Sequence, residues 1–145
     1  MNIVPTNIYY NSNILRKNLN LLLEHYPFIN VQTVGSSVLN QKIYVIKLGI
    51  GNKKVFYSAS IHANEWITST LLMKFIEDYC IAYVNNRNLY GYSIRDLFNS
   101  CSIYIMPMVN PDGVSFIFTG IFIPVLIILL IQLLLVYNHL YNLIY

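Results

Sequence analysis

Apolar residues recur at helical spacing in two stretches of the chain and crowd into short runs between them. Ile14, Leu15, Leu19, Leu22 and Leu23 keep a helical period. Asn11, Ser12 and Asn13 ahead of them are good N-caps, and Pro27 ends the stretch, so a helix is predicted from there to about His25. Residues 1–10, with Pro5, read as extended. Ile29–Val34 reads as a short strand with turn residues at Gly35, Ser36 and Ser37, and Gln41–Ile50 as a second strand rich in β-formers. After a turn centred on Gly51 and Asn52, Val55–Ile61 is continuously apolar or small, the pattern of a strand covered on both faces.

The second helical stretch runs from about Thr68 to Asn85. Ile67, Leu71, Phe75, Tyr79 and Tyr83 stand four apart, and Lys74, Glu77 and Asp78 mark the wet side. Asn85–Gly91 reads as a polar loop, Ser93 as the cap of a short helix to Phe98, and Ser102–Val109 as a further apolar strand. Asn110-Pro111-Asp112-Gly113 reads as a turn closing it. Helices and strands in this order predict an α/β domain with a mixed sheet and flanking helices.

Composition divides the chain. Of its 145 residues 56% are hydrophobic and 10% charged, with net charge +3. That excludes a disordered chain, and the few cations form no stripe, so no nucleic-acid partner is expected. Every Lys, Arg, Asp and Glu lies at or before Asp112. Residues 1–113 therefore read as a domain and 114–145 as an apolar tail. Cys80 and Cys101 are too few for a disulfide framework and read as buried thiols. The segment Met1–Thr6 has neither a basic n-region nor an apolar h-region, so no signal peptide is expected.

His62 and Glu65 stand at the end of an apolar strand, three apart, just before a helix. Imidazole and carboxylate are both zinc ligands, and a turn leaving a strand aims two such side chains at one spot. A surface histidine beside a helix-start glutamate gives the same four letters. The wider context resolves this. Ser60-Ile61-His62-Ala63-Asn64-Glu65-Trp66-Ile67 and Val109-Asn110-Pro111-Asp112-Gly113 resemble the two N-terminal motifs of the zinc carboxypeptidases (funnelin-type metallocarboxypeptidases), in the family's order and at strand ends. Tyr26-Pro27-Phe28 is similar to the family's opening. The nearest branch is the bacterial one that cleaves γ-D-glutamyl–diamino acid bonds in peptidoglycan peptides.

The resemblance implies a zinc-dependent peptidase acting on peptide or γ-glutamyl amide bonds. It makes His62 and Glu65 the first two zinc ligands and gives Asn110, Pro111, Asp112 and Gly113 the role of shaping the site. It also implies a third histidine ligand, a general-base glutamate and substrate-binding arginines further along, and relatives that are secreted or cell-wall associated. The likeness stops near residue 114. No Arg follows Arg95, no Glu follows Glu77, and the one later histidine is His139, in a different context. His25 reads as a helix-end residue. No catalytic residue is therefore expected in this chain, which reads as a truncated N-terminal part, inactive alone.

Val114–Tyr137 carries no charge and is long enough to be a transmembrane segment, with Tyr137, Tyr141 and Tyr145 at the interface. A frameshift or truncation in an A/T-rich gene accounts for the same residues. The rival functional readings are a membrane-tethered, non-catalytic module that keeps the half-fold as a binding surface, and a small α/β membrane protein with coincidental motifs.

Overall fold

Asn11 starts the first helix as its side-chain chemistry dictates. The computed structural model describes residues 2–119 together with Leu133 and Val136. In it the Asn11 side-chain oxygen Oδ1 accepts from the Asn13 and Ile14 N–H groups, both at 3.1 Å, and caps α1 (Ser12–His25). Four strands follow the predicted order: β1 (Asn30–Ser36), β2 (Lys42–Leu48), β3 (Lys53–Ser58) and, after the hairpin and helices below, β6 (Cys101–Met106). They form one sheet in the order β1-β2-β6-β3. β1 and β2 are antiparallel, as are β2 and β6, while β3 runs parallel to β6 from Lys53↔Cys101 to Ser58↔Met106. The sheet is mixed and β6 is an inner strand, buried at every position.

Two strand expectations need correction. Gly35 and Ser36 belong to β1, where the register shifts between Thr33 and Gly35; the chain reverses at residues 37–41, around Asn40 at φ 61°. β3 is not covered on both faces: Val55, Tyr57 and Ser58 are exposed, and among the described residues β3 is one of the sheet's two edge strands. An uninterrupted apolar run reports local propensity, whereas cover depends on distant neighbours. Beside β3, Tyr57, Leu71, Leu72, Phe75 and Tyr90 border an open groove of about 330 Å³.

Between β3 and β6 lie α2 (Trp66–Val84), a small hairpin of β4 (Asn88–Leu89) and β5 (Tyr92–Ser93), and α3 (Ile94–Ser100). The hairpin forms inside the predicted polar loop because Tyr90 and Gly91 take positive φ (50° and 85°), the two-residue turn that suits strand twist. Ser93 caps α3, accepting from Asp96 N–H at 3.3 Å. A last helix, α4, spans Pro111–Thr119.

Alternation along the strands feeds two apolar clusters. Ile46, Leu48, Ile103 and Ile105 face α1, α2 and α3 and pack with Leu15, Leu19, Leu22, Met73, Ile76 and Phe98. Ile43, Val45, Tyr104 and Met106 belong to a second cluster with Val34 and Val109.

Two acidic side chains among the described residues are fully buried, Glu77 and Asp112. Glu77, fully buried, accepts from the Ile3 and Val4 N–H groups at 2.5 and 3.3 Å and from Lys74 Nζ at 3.0 Å. It thereby fastens the extended N-terminus to α2. Burial works against the Lys74 ammonium, but hydrogen bonds to Asp78 and Glu77 prevail and raise its pKa. Burial, with the Glu77 carboxylate adding to it, pushes the Cys80 thiol up to about 12, and burial also raises the Tyr10 and Tyr79 phenols.

Glu77→Ala is expected to lower unfolding stability by roughly 3 kcal/mol in urea titrations, since it orphans two buried N–H groups and leaves the Lys74 ammonium with Asp78 as its one carboxylate partner. Cys80 makes stability depend on alkaline pH. The thiol stays protonated in the folded chain to about 12 but ionises near its ordinary value of 9.0 when unfolded. Its contribution is therefore complete below pH 9 and is lost as pH rises toward 12. In denaturant melts over that window Cys80→Ala should flatten the fall by up to about 1.4 kcal/mol per pH unit.

Candidate metal centre

Backbone pairing carries the two strand ends past the strands themselves. Ala59 N–H donates to Met106 O at 3.0 Å, Val109 N–H to Ala59 O at 3.0 Å, and Asn110 N–H to Ser60 O at 3.1 Å. The loops leaving β3 and β6 therefore run side by side. Beyond Ser60 the chain turns sharply, with Ser60 itself at φ 49°. A non-glycine residue in that region costs about 1–3 kcal/mol. Side-chain hydrogen bonds hold it there. Ser60 N–H donates to Thr68 Oγ1 at 3.0 Å, Ser60 Oγ lies 2.6 Å from Ser69 Oγ, and Thr68 Oγ1 donates to Glu65 O at 2.7 Å. The first turn of α2 is thus tied to the end of β3.

The segment between them is a single 3-10 turn, Ala63–Glu65, preceded by His62 in extended conformation. This geometry brings His62 Nδ1 within 3.3 Å of Glu65 Oε1, with the two side chains 63% and 49% exposed. Both can receive a ligand from solvent. Trp66, which begins α2, meets Tyr9 edge-on at 4.9 Å between ring centroids.

Asn110-Pro111-Asp112-Gly113 is a helix start and not a strand-closing turn. Asn110 is the cap: its Oδ1 accepts from Gly113 N–H at 2.9 Å and its carbonyl from Val114 N–H at 3.1 Å. Pro111 takes the first helical position, where its missing N–H costs nothing. The same four letters serve a turn or a helix start, and the apolar residues after Gly113 decide for the helix.

The four residues face two ways. Asp112, fully buried, accepts from Ser37 Oγ at 2.6 Å, Leu39 N–H at 2.9 Å and Gln41 Nε2 at 2.9 Å, and so holds the β1–β2 connection. Gly113 lies against the 3-10 turn: a Cβ there would stand 2.8 Å from Ala63 Cβ and 2.5 Å from Asn110 Nδ2. Asn110 Nδ2 is buried and has no hydrogen-bond partner among the described residues. Ser60, Thr68, Ser69, Ser37 and Gln41 had no signal in the sequence beyond being polar beside the motifs.

An imidazole and a carboxylate converging at 3.3 Å have the right chemistry for zinc, and they supply two donors. Among the described residues no group of three His, Cys, Asp or Glu could hold a metal ion. His25 sits in the last turn of α1, its Nδ1–H donating to Leu21 O at 2.8 Å. His139 lies outside the described residues.

A family model described as zinc carboxypeptidase matches residues 15–123. The chain belongs to the zinc carboxypeptidase family. Gamma-D-glutamyl-L-diamino acid endopeptidase 1 of Lysinibacillus sphaericus is 40% identical over 111 residues, 77% of this chain and 28% of that protein. Carboxypeptidase B of Astacus astacus is 30% identical over 70% of this chain and 32% of that protein. Bovine thrombin-activatable fibrinolysis inhibitor, solved with a tick carboxypeptidase inhibitor, superposes with a TM-score of 0.65 at 25% identity, over 78% of this chain and 35% of that one. The chain spans less than a third of the length of both sequence relatives. Its α/β fold is a partial carboxypeptidase fold, and the family implies Zn²⁺.

Gly113→Ala is expected to displace the 3-10 turn and cost about 1–3 kcal/mol, the usual penalty for overpacking. In thermal melts Ala63→Gly on that background should recover part of the loss, because it removes the Ala63 Cβ that the new methyl meets, leaving only the Asn110 side chain.

Proposed function

We propose that this zinc carboxypeptidase-family chain carries part of a metallopeptidase centre that hydrolyses peptide or γ-glutamyl amide bonds, with His62 and Glu65 as two of its zinc ligands. The observation that carries the reading is their convergence on one exposed turn, beside the loop bearing the second motif. The likeness to a γ-D-glutamyl-L-diamino acid endopeptidase favours peptides containing that linkage as substrates.

Zinc bound there would supply Lewis-acid chemistry to such a hydrolysis. The chain's own part is positional. His62 offers a ring nitrogen and Glu65 a carboxylate oxygen from one rigid turn, so neither side chain needs a large rearrangement to meet a cation. Asn110 and Gly113 set the height of that turn through Ala63, and Asp112 fixes the start of α4 that carries them. In this reading residues 1–113 form the recognisable part of the peptidase domain, and Asn110–Gly113 shape the centre without ligating the metal. The remaining ligand, the base and the substrate-binding groups are not among the described residues.

Calorimetric zinc titration of the full chain, repeated with cobalt(II) and its visible spectrum, tests the ligand assignment. His62→Ala and Glu65→Ala should each weaken binding by about tenfold or more, or ~1.4 kcal/mol. His25→Ala should leave it unchanged. Unaltered affinity in the first two variants overturns the assignment. Release of diamino acid from a γ-D-glutamyl-L-diamino acid peptide, compared with release of C-terminal residues from ordinary peptides, tests the substrate reading.

A further inference from the structure

The two edges of the sheet are built differently. β1 is interrupted by its register shift between Thr33 and Gly35, and a bulge of this kind is a usual means of keeping an edge from pairing. β3 has no interruption. It pairs with β6 in continuous register from Lys53 to Ser58, its two lysines stand at its start, and Val55–Ser58 is uncharged. Among the described residues no strand lies on its outer side.

Apolar surface collects along that edge. Val55 and Tyr57 stand level with Ile103 and Ile105, on the face that packs under the helices, yet they are 37% and 48% exposed. Leu71 of α2, which shares the open groove with Tyr57, is 68% exposed, and Ile67 one turn earlier is 54% exposed. A row of outward backbone groups beside an apolar patch is what an added strand requires. The patch is made by β3 and α2 alone. The apolar tail, residues 114–145, read above as a possible membrane segment, lies outside the described residues beyond Thr119 save for Leu133 and Val136. Among the described residues no helix is long and apolar enough to cross a membrane.

We propose that β3 pairs antiparallel with β3 of a second copy of this chain, about a two-fold axis through Phe56, and so joins two four-stranded sheets into one. The charge pattern selects this partner and this direction. Centred on Phe56, Lys54 opposes Ser58 of the second copy and Val55 opposes Tyr57, so no lysine faces a lysine. The Lys54 positions of the two copies stand ~14 Å apart along the seam, beyond the Debye length of about 8 Å at physiological salt. A parallel match would set the lysines side by side. Valine opposite tyrosine is a favourable cross-strand pair, and symmetry provides it twice. Each β3 leads into its own His62, so the two candidate centres lie at opposite ends of the shared sheet.

Mass in solution and site-specific cross-linking of the full chain test the seam. Sedimentation equilibrium is expected to give twice the chain's mass. Val55→Lys brings like charges into the seam and should raise the dissociation constant about tenfold or more. Val38→Lys, at an exposed position between β1 and β2, should leave it unchanged. On mild oxidation Phe56→Cys should link to its counterpart, since directly paired α-carbons stand about 5 Å apart, whereas Lys53→Cys, roughly 20 Å from its own, should not. Cys80 and Cys101 are buried and add no background. Should Phe56→Cys fail to fold, a mixture of Val55→Cys and Tyr57→Cys chains should give the mixed disulfide in preference to either homodimer. A monomeric wild-type chain overturns the proposal. So does association that Val55→Lys leaves intact, or cross-linking as efficient through Lys53→Cys as through Phe56→Cys. None of these results bears on His62 and Glu65, whose metal binding is read separately.

Discussion

Everything at the candidate centre depends on the parallel pairing of β3 with β6. The ladder does not stop where the strands end: the bonds among Ala59, Met106, Val109, Ser60 and Asn110 carry it into the two loops that follow. Parallel strands leave their carboxyl ends on the same side of the sheet, so both loops emerge together. That is why the turn with His62 and Glu65 comes to rest against the first turn of α4. Without this pairing the two motifs are unrelated peptides. With it, Ala63 and Gly113 approach so closely that a Cβ at position 113 would have no room.

Strain and its offsets are concentrated at the same place. Ser60 occupies a left-handed conformation, and hydroxyl groups from Thr68 and Ser69 hold it. Asp112 is buried as a carboxylate with three donors around it. Polar groups removed from water are tolerated when each finds partners, and then they fix geometry more sharply than apolar contacts do. Asn110 is the partial exception, with one side of its amide satisfied by Gly113 and the other without a partner among the described residues.

How much of this was legible in the residues follows from the range of each interaction. Asn11 announced α1 because capping is local, and the four-residue spacing of Leu71, Phe75, Tyr79 and Tyr83 announced α2 for the same reason. Unbroken apolar runs made β6 and β3 legible as strands, but the cover on both faces read from the run of β3 failed. Val55 and Tyr57 are as strand-like as Ile103 and Ile105, yet they lie at an edge, which only the sheet order reveals. At the centre, His62 and Glu65 were legible because their chemistry and spacing are distinctive. Asn110–Gly113 was read as a turn where the chain starts a helix, since caps and turns use the same residues. The serines and threonine around Ser60 carried no pattern at all.

The crossover that joins β3 to β6 also sets the order in which these features arise. Ser102 Oγ donates to the Gly51 carbonyl at 2.7 Å across a sequence separation of 51 residues. Closing so long a loop is slow relative to forming α2 or the small hairpin within it, because chain entropy is lost before the contact rewards it. His62 and Glu65 are neighbours from the moment of synthesis, but the wall they lean on arrives last. A nascent chain would thus display its pair of donors before it had the means to hold them still.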